Sequence, residues 1–259
     1  MKTLLITGLL TLAPLTAAIA QTCSKQSPAH TVALVELYTS EGCSSCPPAD
    51  STLRTLGRNF AGKQVGLDQL VPIALHVDYW DYIGWKDRFS SKTFTQRQHW
   101  LSARAGSHTV YTPEFFVAGQ ELRNWSGGVA AAVRRINSTP ARADIGITLG
   151  KPTAGSVAVQ VRAHAAQGGM LFLALYENSL SSAVQAGENR GSTLQHDYVV
   201  RQWVGPIAID VTAAGASASW SQSLAIPAGA DAHNLGVAAF VQSERGEVLQ
   251  ALALPVCSA

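Results

Sequence analysis

The 259-residue chain predicts an α/β module followed by an all-β antiparallel sandwich, and three observations carry that expectation. Strand-type and helix-type segments alternate up to about residue 138. From residue 145 onward the apolar segments are short, β-type, and separated by Gly, Pro and Ser. Between the two patterns, Asn137 to Ala143 is a polar, Pro-containing break. The expected division is a leader at 1–20, an α/β domain at 21–139 and a sandwich domain at 140–259.

The leader reads MKTLLITGLLTLAPLTAAIAQ. Lys2 supplies a charged start, Leu4 to Leu15 a mostly apolar run, and Ala18-Ile19-Ala20 the small-x-small pattern of a cleavage site, so a signal peptide cut near Ala20 is expected. The run is shorter than the ~20 residues of a spanning helix. Thr22 before Cys23 does not suit a lipoprotein signal. A periplasmic or secreted chain follows. Removing Lys2 from the 19 Lys and Arg leaves 18 against 17 Asp and Glu. That balance gives no electrostatic case for nucleic acid or a membrane surface as partner.

The first module opens, after a polar lead-in ending near His30, with Thr31 to Thr39 (TVALVELYT). This run is rich in β-branched and apolar residues, as in a strand buried on both faces, and Glu36 is the anomaly within it. Cys43-Ser44-Ser45-Cys46 follows, and from Ala49 the positions Ala49, Leu53, Leu56 and Phe60 recur at helical spacing. The cysteines therefore end a strand and begin a helix. Backbone N–H groups and the positive end of the helix dipole then lower a thiol pKa, and the spacing permits a disulfide that opens and closes. With Cys43 at the cap, the N–H groups of Ser45 and Cys46 are expected to face its thiolate. Cys43 is read as the exposed nucleophile and Cys46 as the buried resolving partner.

Leu70 to Val77 reads as a second buried strand, completing a right-handed βαβ unit. Asp78 to Asp87 (DYWDYIGWKD) is dense in aromatics and acids; Tyr79, Trp80 and Trp85 are either a rim around the dithiol or a cover for one end of the sheet. Ser91 to Ala105 forms a helix stopped by Gly106. Thr109 to Ala118 is a strand with Pro113 at its entrance. Leu122 to Trp125 returns as the next strand, and Ser126 caps a helix carrying Val129, Ala132, Val133 and Ile136.

In the second module the β-type runs are Ile145–Leu149, Ser156–Ala163, Met170–Glu177, Tyr198–Val204, Ala218–Ile226, Gly236–Gln242 and Val248–Val256, as in a two-sheet sandwich. Ser179 to Asp197 is a long polar loop. It is either functional, bringing Glu188, Arg190 and His196 toward the dithiol or its substrate, or a solvated hairpin. The two remaining cysteines, Cys23 and Cys257, lie near the ends of the mature chain and are expected to bridge. In the chain-entropy picture such a closure stabilises by on the order of 5 kcal/mol.

The order β-α-β-α-β-β-α over residues 31 to 138, with a Cys-x-x-Cys at the first strand–helix junction, resembles the thioredoxin fold. Thr112-Pro113 matches that superfamily's cis-proline loop. The resemblance implies a cis bond there, a Thr112 backbone bordering the disulfide and pairing with a substrate strand, and a place for Glu36 like that of the carboxylate that takes the second cysteine's proton. More specifically, VELYTSEGCSSCPPAD, HVDYWDYIGWKD, Arg97-Gln98, Tyr111-Thr112-Pro113 and GENRGSTLQHDYVVR resemble the exported DUF1223 family across nearly the whole mature chain, a family with no assigned activity. Glu114-Phe115-Phe116 is bulkier than that loop implies.

Three functions follow. In the first, Cys43 and Cys46 make a thiol–disulfide oxidoreductase without cofactor, exchanging with protein or small-molecule thiols and disulfides. In the second, they bind Zn or Cu(I) with some of His76, His99, His108 and His196; no His stands at a local ligand spacing from the pair, and His76 reads more simply as a structural residue. In the third, the disulfide is a staple in an interaction protein.

Overall fold

The computed structural model describes residues 22–56, 67–153, 155–213 and 215–257. The leader at 1–20, and Phe60 of the first helix, lie outside these residues. The described chain is rich in β-structure. Its elements run β1 (Thr22–Gln26), β2 (Ala33–Thr39), α1 (Pro47–Leu56), β3 (Leu70–His76), α2 (Lys92–Arg104), β4 (Glu114–Val117), β5 (Gln120–Glu121) and α3 (Trp125–Asn137). These are followed by β6 (Asp144–Gly150), β7 (Ser156–His164), β8 (Gly169–Glu177), β9 (Leu180–Ala183), β10 (Thr193–His196), β11 (Val199–Ile209), β12 (Ser217–Ala225), β13 (Leu235–Gln242) and β14 (Val248–Pro255). None of the described helices is long and apolar enough to cross a membrane.

Eight strands form one mixed sheet in the order β14-β13-β8-β11-β3-β2-β4-β5. At its centre β2 and β3 run parallel, from Ala33 opposite Leu70 to Thr39 opposite His76, and every residue of both is buried. This explains their largely apolar character, since helices cover both faces. α2 lies on the face toward which Glu36 points, shown by its Arg97, and α1 on the other, shown by the bond from Thr39 to Asp50. Residues 36 and 39 have opposite parity along the strand, so their side chains leave by opposite faces.

A second sheet, β1-β6-β7-β12, packs over the β14-β13-β8 end of the first. Along β8 the odd positions Leu171, Leu173 and Leu175 enter this sandwich core, while Phe172, Ala174 and Tyr176 enter the core beneath the helices. Both parities are apolar because both faces are dry.

The structure differs from the expected layout in several particulars. A sandwich is present, yet it is not confined to 140–259. β1, read in the sequence as a polar lead-in, supplies its edge strand by pairing with β6, and β8, β11, β13 and β14 continue into the sheet that holds β2. The polar face of TCSKQ is what an edge strand shows to water. The return strand is Gln120–Glu121 rather than Leu122–Trp125, because Trp125 opens α3 and stacks on Phe115. Ser126 is thus inside the helix; Asn124 precedes it and makes no side-chain cap. Ser179 to Asp197 contains a hairpin, β9 paired with β10, whose tip spans residues 184–192.

Candidate functional site

The site lies where β2 gives way to α1. Cys43 and Cys46 are disulfide-bonded with Cα atoms 5.4 Å apart. The turn is built from backbone bonds: Cys43 N–H donates to Ser40 O at 3.2 Å, Cys46 N–H to Cys43 O at 3.2 Å, and the N–H groups of Ala49 and Asp50 to Cys46 O at 2.8 and 3.1 Å. The prolines sit in the first helical turn, where a missing N–H leaves no bond unmade. Gly42 is required by packing, since a Cβ there would meet Trp80 Cβ at 3.1 Å and Ile83 Cδ1 at 3.2 Å.

Both sulfurs are fully buried, with Cys43 and Cys46 at 0% exposure, and only Ser44 and Ser45 face solvent. Cys43 is therefore not the exposed nucleophile of the sequence reading. What covers it comes from 140 residues away. Glu188 accepts the Ser44 N–H at 3.0 Å, and the buried Asn189 amide donates to the carbonyls of Glu41 (2.8 Å) and Cys43 (3.0 Å). Glu188 is held below the usual carboxylate range by that backbone N–H. Ser45 Oγ lies 3.3 Å from Cys43 Sγ, whereas the Cys46 N–H, expected to face that sulfur, goes to the Cys43 carbonyl.

The aromatic segment joins these parts. Trp80 Nε1 donates to Thr112 Oγ1 at 2.8 Å, Trp85 Nε1 to Glu41 Oε2 at 2.7 Å, and Tyr79 OH to Gln98 Oε1 at 3.2 Å. All three are half-buried and bonded inward, while Tyr82 is exposed. The Thr112–Pro113 bond is cis, and Trp80 spans between Thr112 and the Gly42 turn.

Glu36 is not brought to the dithiol. It leaves the opposite face of the sheet, where Arg97 Nε donates to its Oε1 at 2.6 Å and Tyr38 OH at 3.2 Å. The Arg97 guanidinium stands 4.9–5.2 Å from the rings of Phe172, Trp203 and Phe240. A strand-register argument from Cys43 is uncertain by one residue, and one residue reverses the face.

On the α1 face a different polar set surrounds the site: Glu41, Asp50, His76, Asp87 and His196, all buried. His76 Nδ1 and Asp87 Oδ2 are 2.6 Å apart. Burial opposes both charges, but the pairing prevails: the His76 pKa is raised chiefly by Asp87, and that of Asp87 is lowered chiefly by His76. Glu41 is likewise pushed up by burial but ends lowered, chiefly by the neighbouring His196 and also by Ser182 and the hydrogen bond from Trp85. Asp50 is raised by burial. Of these five, the sequence reading singled out only His196 as a site residue. Asp50 was legible as the position one helical turn after Cys46, and Asn189 sits in GENRG between two residues that were considered. Arg190 is exposed. The metal arrangement is not assembled: both cysteines are in the disulfide, His99 and His108 are exposed, and no group of three or more His, Cys, Asp or Glu could hold a metal ion among the described residues.

Cys23 and Cys257 are bridged, with Cα atoms 6.2 Å apart across 234 residues.

Fold and site together define a β-rich protein whose mixed sheet presents a buried Cys-x-x-Cys disulfide at the head of a helix. The chain belongs to the DUF1223 family, whose model, described as a protein of unknown function, matches residues 34–242. No curated protein matches. Among solved structures, the crystal structure of protein AGR_C_4864 from Agrobacterium tumefaciens is 21% identical with a TM-score of 0.60, covering 90% of this chain and 98% of that one. HBP35 of Porphyromonas gingivalis is 17% identical with a TM-score of 0.63, covering 89% and 76%. At these identities the likeness is one of fold.

Proposed function

We propose that this is an exported thiol–disulfide oxidoreductase, periplasmic or secreted after cleavage near Ala20, in which Cys43 and Cys46 exchange with thiols and disulfides of proteins or small molecules. On this reading residues 31–138 are thioredoxin-like. The unit at 21–139 supplies the reacting pair, and the unit at 140–259 covers it through Glu188, Asn189 and His196.

The observation that carries the reading is the disulfide's position: it spans the exposed Ser44-Ser45 tip at the amino end of α1, where the helix dipole stabilises a thiolate. An incoming thiolate attacks Cys43 Sγ, the Cys43–Cys46 bond breaks, and Cys46 leaves as the thiolate. A second thiol then attacks the mixed disulfide, releasing Cys43 and a new disulfide. Thr112 and Trp80 border the turn and are proposed to seat the partner; Tyr79, Trp85 and Arg190 lie farther round that rim.

A second reading, that the disulfide is a structural staple, draws on the full burial of both sulfurs. Insulin reduction and reactivation of scrambled ribonuclease, run with wild type and Cys43→Ser, separate the two. Turnover lost in the variant supports exchange; a wild type that is inert and resists dithiothreitol leaves the staple. The reduction potential then assigns direction, about −120 mV for an oxidant and about −270 mV for a reductant.

A further inference from the structure

The buried polar set behind the disulfide contains one carboxyl without a matched cation. His76 is paired with Asp87, which also accepts the N–H groups of Glu41 (2.9 Å) and Phe89 (2.8 Å). Glu41 is held by Trp85 and lies 3.4 Å from His196 Nε2. Asp50 has only a hydroxyl, Thr39 Oγ1 at 3.2 Å, as its side-chain hydrogen-bond donor among the described residues. Its backbone N–H donates to the Cys46 carbonyl at 3.1 Å, so Asp50 stands one turn beyond the cysteine that precedes α1.

The route outward is equally specific. The rings of His76 and His196 meet edge to face with centroids 5.1 Å apart. Among the described residues His76 Nε2 and His196 Nδ1 are buried without a hydrogen-bond partner, and His196 Nε2 has only the 3.4 Å approach to Glu41, an arrangement that calls for an explanation. A cleft of about 180 Å³ opens between α1 and β10, and its lining includes Pro47, Asp50, Arg54, Leu194 and His196. Asp50 and His196 thus lie between the Cys46 turn and water.

We infer that Asp50 exchanges a proton with the Cys46 sulfur and that His196 passes that proton between Asp50 and the cleft. This rests on the oxidoreductase reading. As the thiolate R–S⁻ bonds to Cys43 Sγ, the S–S bond breaks and its electron pair leaves on Cys46 Sγ. The carboxyl proton of Asp50 moves to that sulfur, and the resulting carboxylate recovers a proton through His196. In reverse, the Asp50 carboxylate takes the Cys46 thiol proton, the new thiolate attacks Cys43 Sγ, and R–S⁻ departs. The groups facing Asp50 set its affinity for the proton. Burial raises it; His196 on β10, His76 on β3 and the Thr39 hydroxyl lower it; Asp87 raises it. Glu41 stands beyond His196, and Arg54 shares the cleft on Asp50's own helix.

The test uses fully reduced protein and the chromogenic disulfide 5,5′-dithiobis(2-nitrobenzoate) in stopped flow from pH 5 to 9. The first nitrothiobenzoate reports capture by Cys43, and the second reports resolution by Cys46. Asp50→Asn is expected to leave capture within about twofold and to slow resolution by ~100-fold, with a flattened pH profile, as for loss of a proton-transfer group. His196→Gln is expected to slow resolution in dilute buffer and to recover in concentrated imidazole buffer. Resolution in Asp50→Asn with wild-type rate and profile overturns the inference while the oxidoreductase reading stands. If Asp50→Asn loses its far-UV dichroism, His196→Gln decides, and a rate insensitive to buffer overturns it. A wild type that releases no nitrothiobenzoate overturns the oxidoreductase reading itself, and the inference with it.

Discussion

Glu36 and Asp50 are both buried carboxyl groups beside β2, on opposite faces of the same sheet, and they differ in what stands opposite them. Glu36 meets a guanidinium at 2.6 Å, itself enclosed by three aromatic rings. Arginine does not give up its proton in proteins, so Glu36 faces a permanent cation. Asp50 meets a hydroxyl and, farther out, two imidazoles, side chains that can give up a proton where a guanidinium does not. Burial alone does not make a carboxyl a participant in chemistry; the capacity of its partners to titrate does.

The comparison is broken most severely on the Glu36 side. Arg97→Met leaves Glu36 buried without its cation, and should cost about 3–5 kcal/mol in urea unfolding; Glu36→Gln with Arg97→Met should recover most of it. A stable Arg97→Met would mean that Glu36 is not held by its cation.

Glu114 sharpens the contrast, because it shares the α2 face with Glu36 but is held by the neutral amide of Gln98 at 2.6 Å. Burial pushes its pKa up to about 7, above its ordinary value of 4.5. A carboxyl whose folded pKa is raised favours folding below about pH 4.5, and that contribution is lost as pH rises through 7. Glu114→Gln should therefore be the more stable protein at pH 8, by about 2 kcal/mol after solvent screening, with the difference gone by pH 4. Thermal unfolding at the two pH values reads this.

The same sign applies to Asp50. Its raised pKa means that Asp50→Asn gains stability at pH 8 relative to pH 5, by less than Glu114→Gln does, because His196 and His76 offset part of the burial cost. A loss of stability growing with pH would place a fixed cation beside Asp50 and erase its difference from Glu36.

The smallest effect concerns access to the face that Asp50 serves. Glu188→Ala removes the hydrogen bond that an exposed carboxylate accepts from the Ser44 N–H. Reduction of the Cys43–Cys46 bond by dithiothreitol should accelerate ~2- to 10-fold as the loop opens more often. An unchanged rate would mean that residues 184–192 do not gate the sulfurs.

Local chemistry wrote much of this into the sequence. The largely apolar β2 and β3, the α3 stripe of Val129, Ala132 and Val133, the turn that places Cys43 and Cys46 before α1, and the Cys23–Cys257 pairing were legible because each depends on near neighbours or on elimination among four cysteines. The face of Glu36 was not, because an irregular turn separates it from Cys43 and parity does not survive such turns. The cover over Cys43 was not, because Asn189 and Glu188 arrive from a hairpin whose register only the packed sheet decides. Polar β1 was missed for a related reason: an edge strand of a sandwich carries few apolar residues, and its partner β6 lies more than a hundred residues on.

That edge strand has a consequence in time. β1 is made early, yet its sheet partner is β6, and its cysteine waits for Cys257, 234 residues later. Both ends of the described chain meet at one margin of the sandwich, so the covalent clasp closes only after the last strand has been synthesised and laid down. A chain halted before residue 257 holds a complete Cys-Ser-Ser-Cys turn and an unmatched Cys23, a thiol placed to exchange with the wrong partner until synthesis ends.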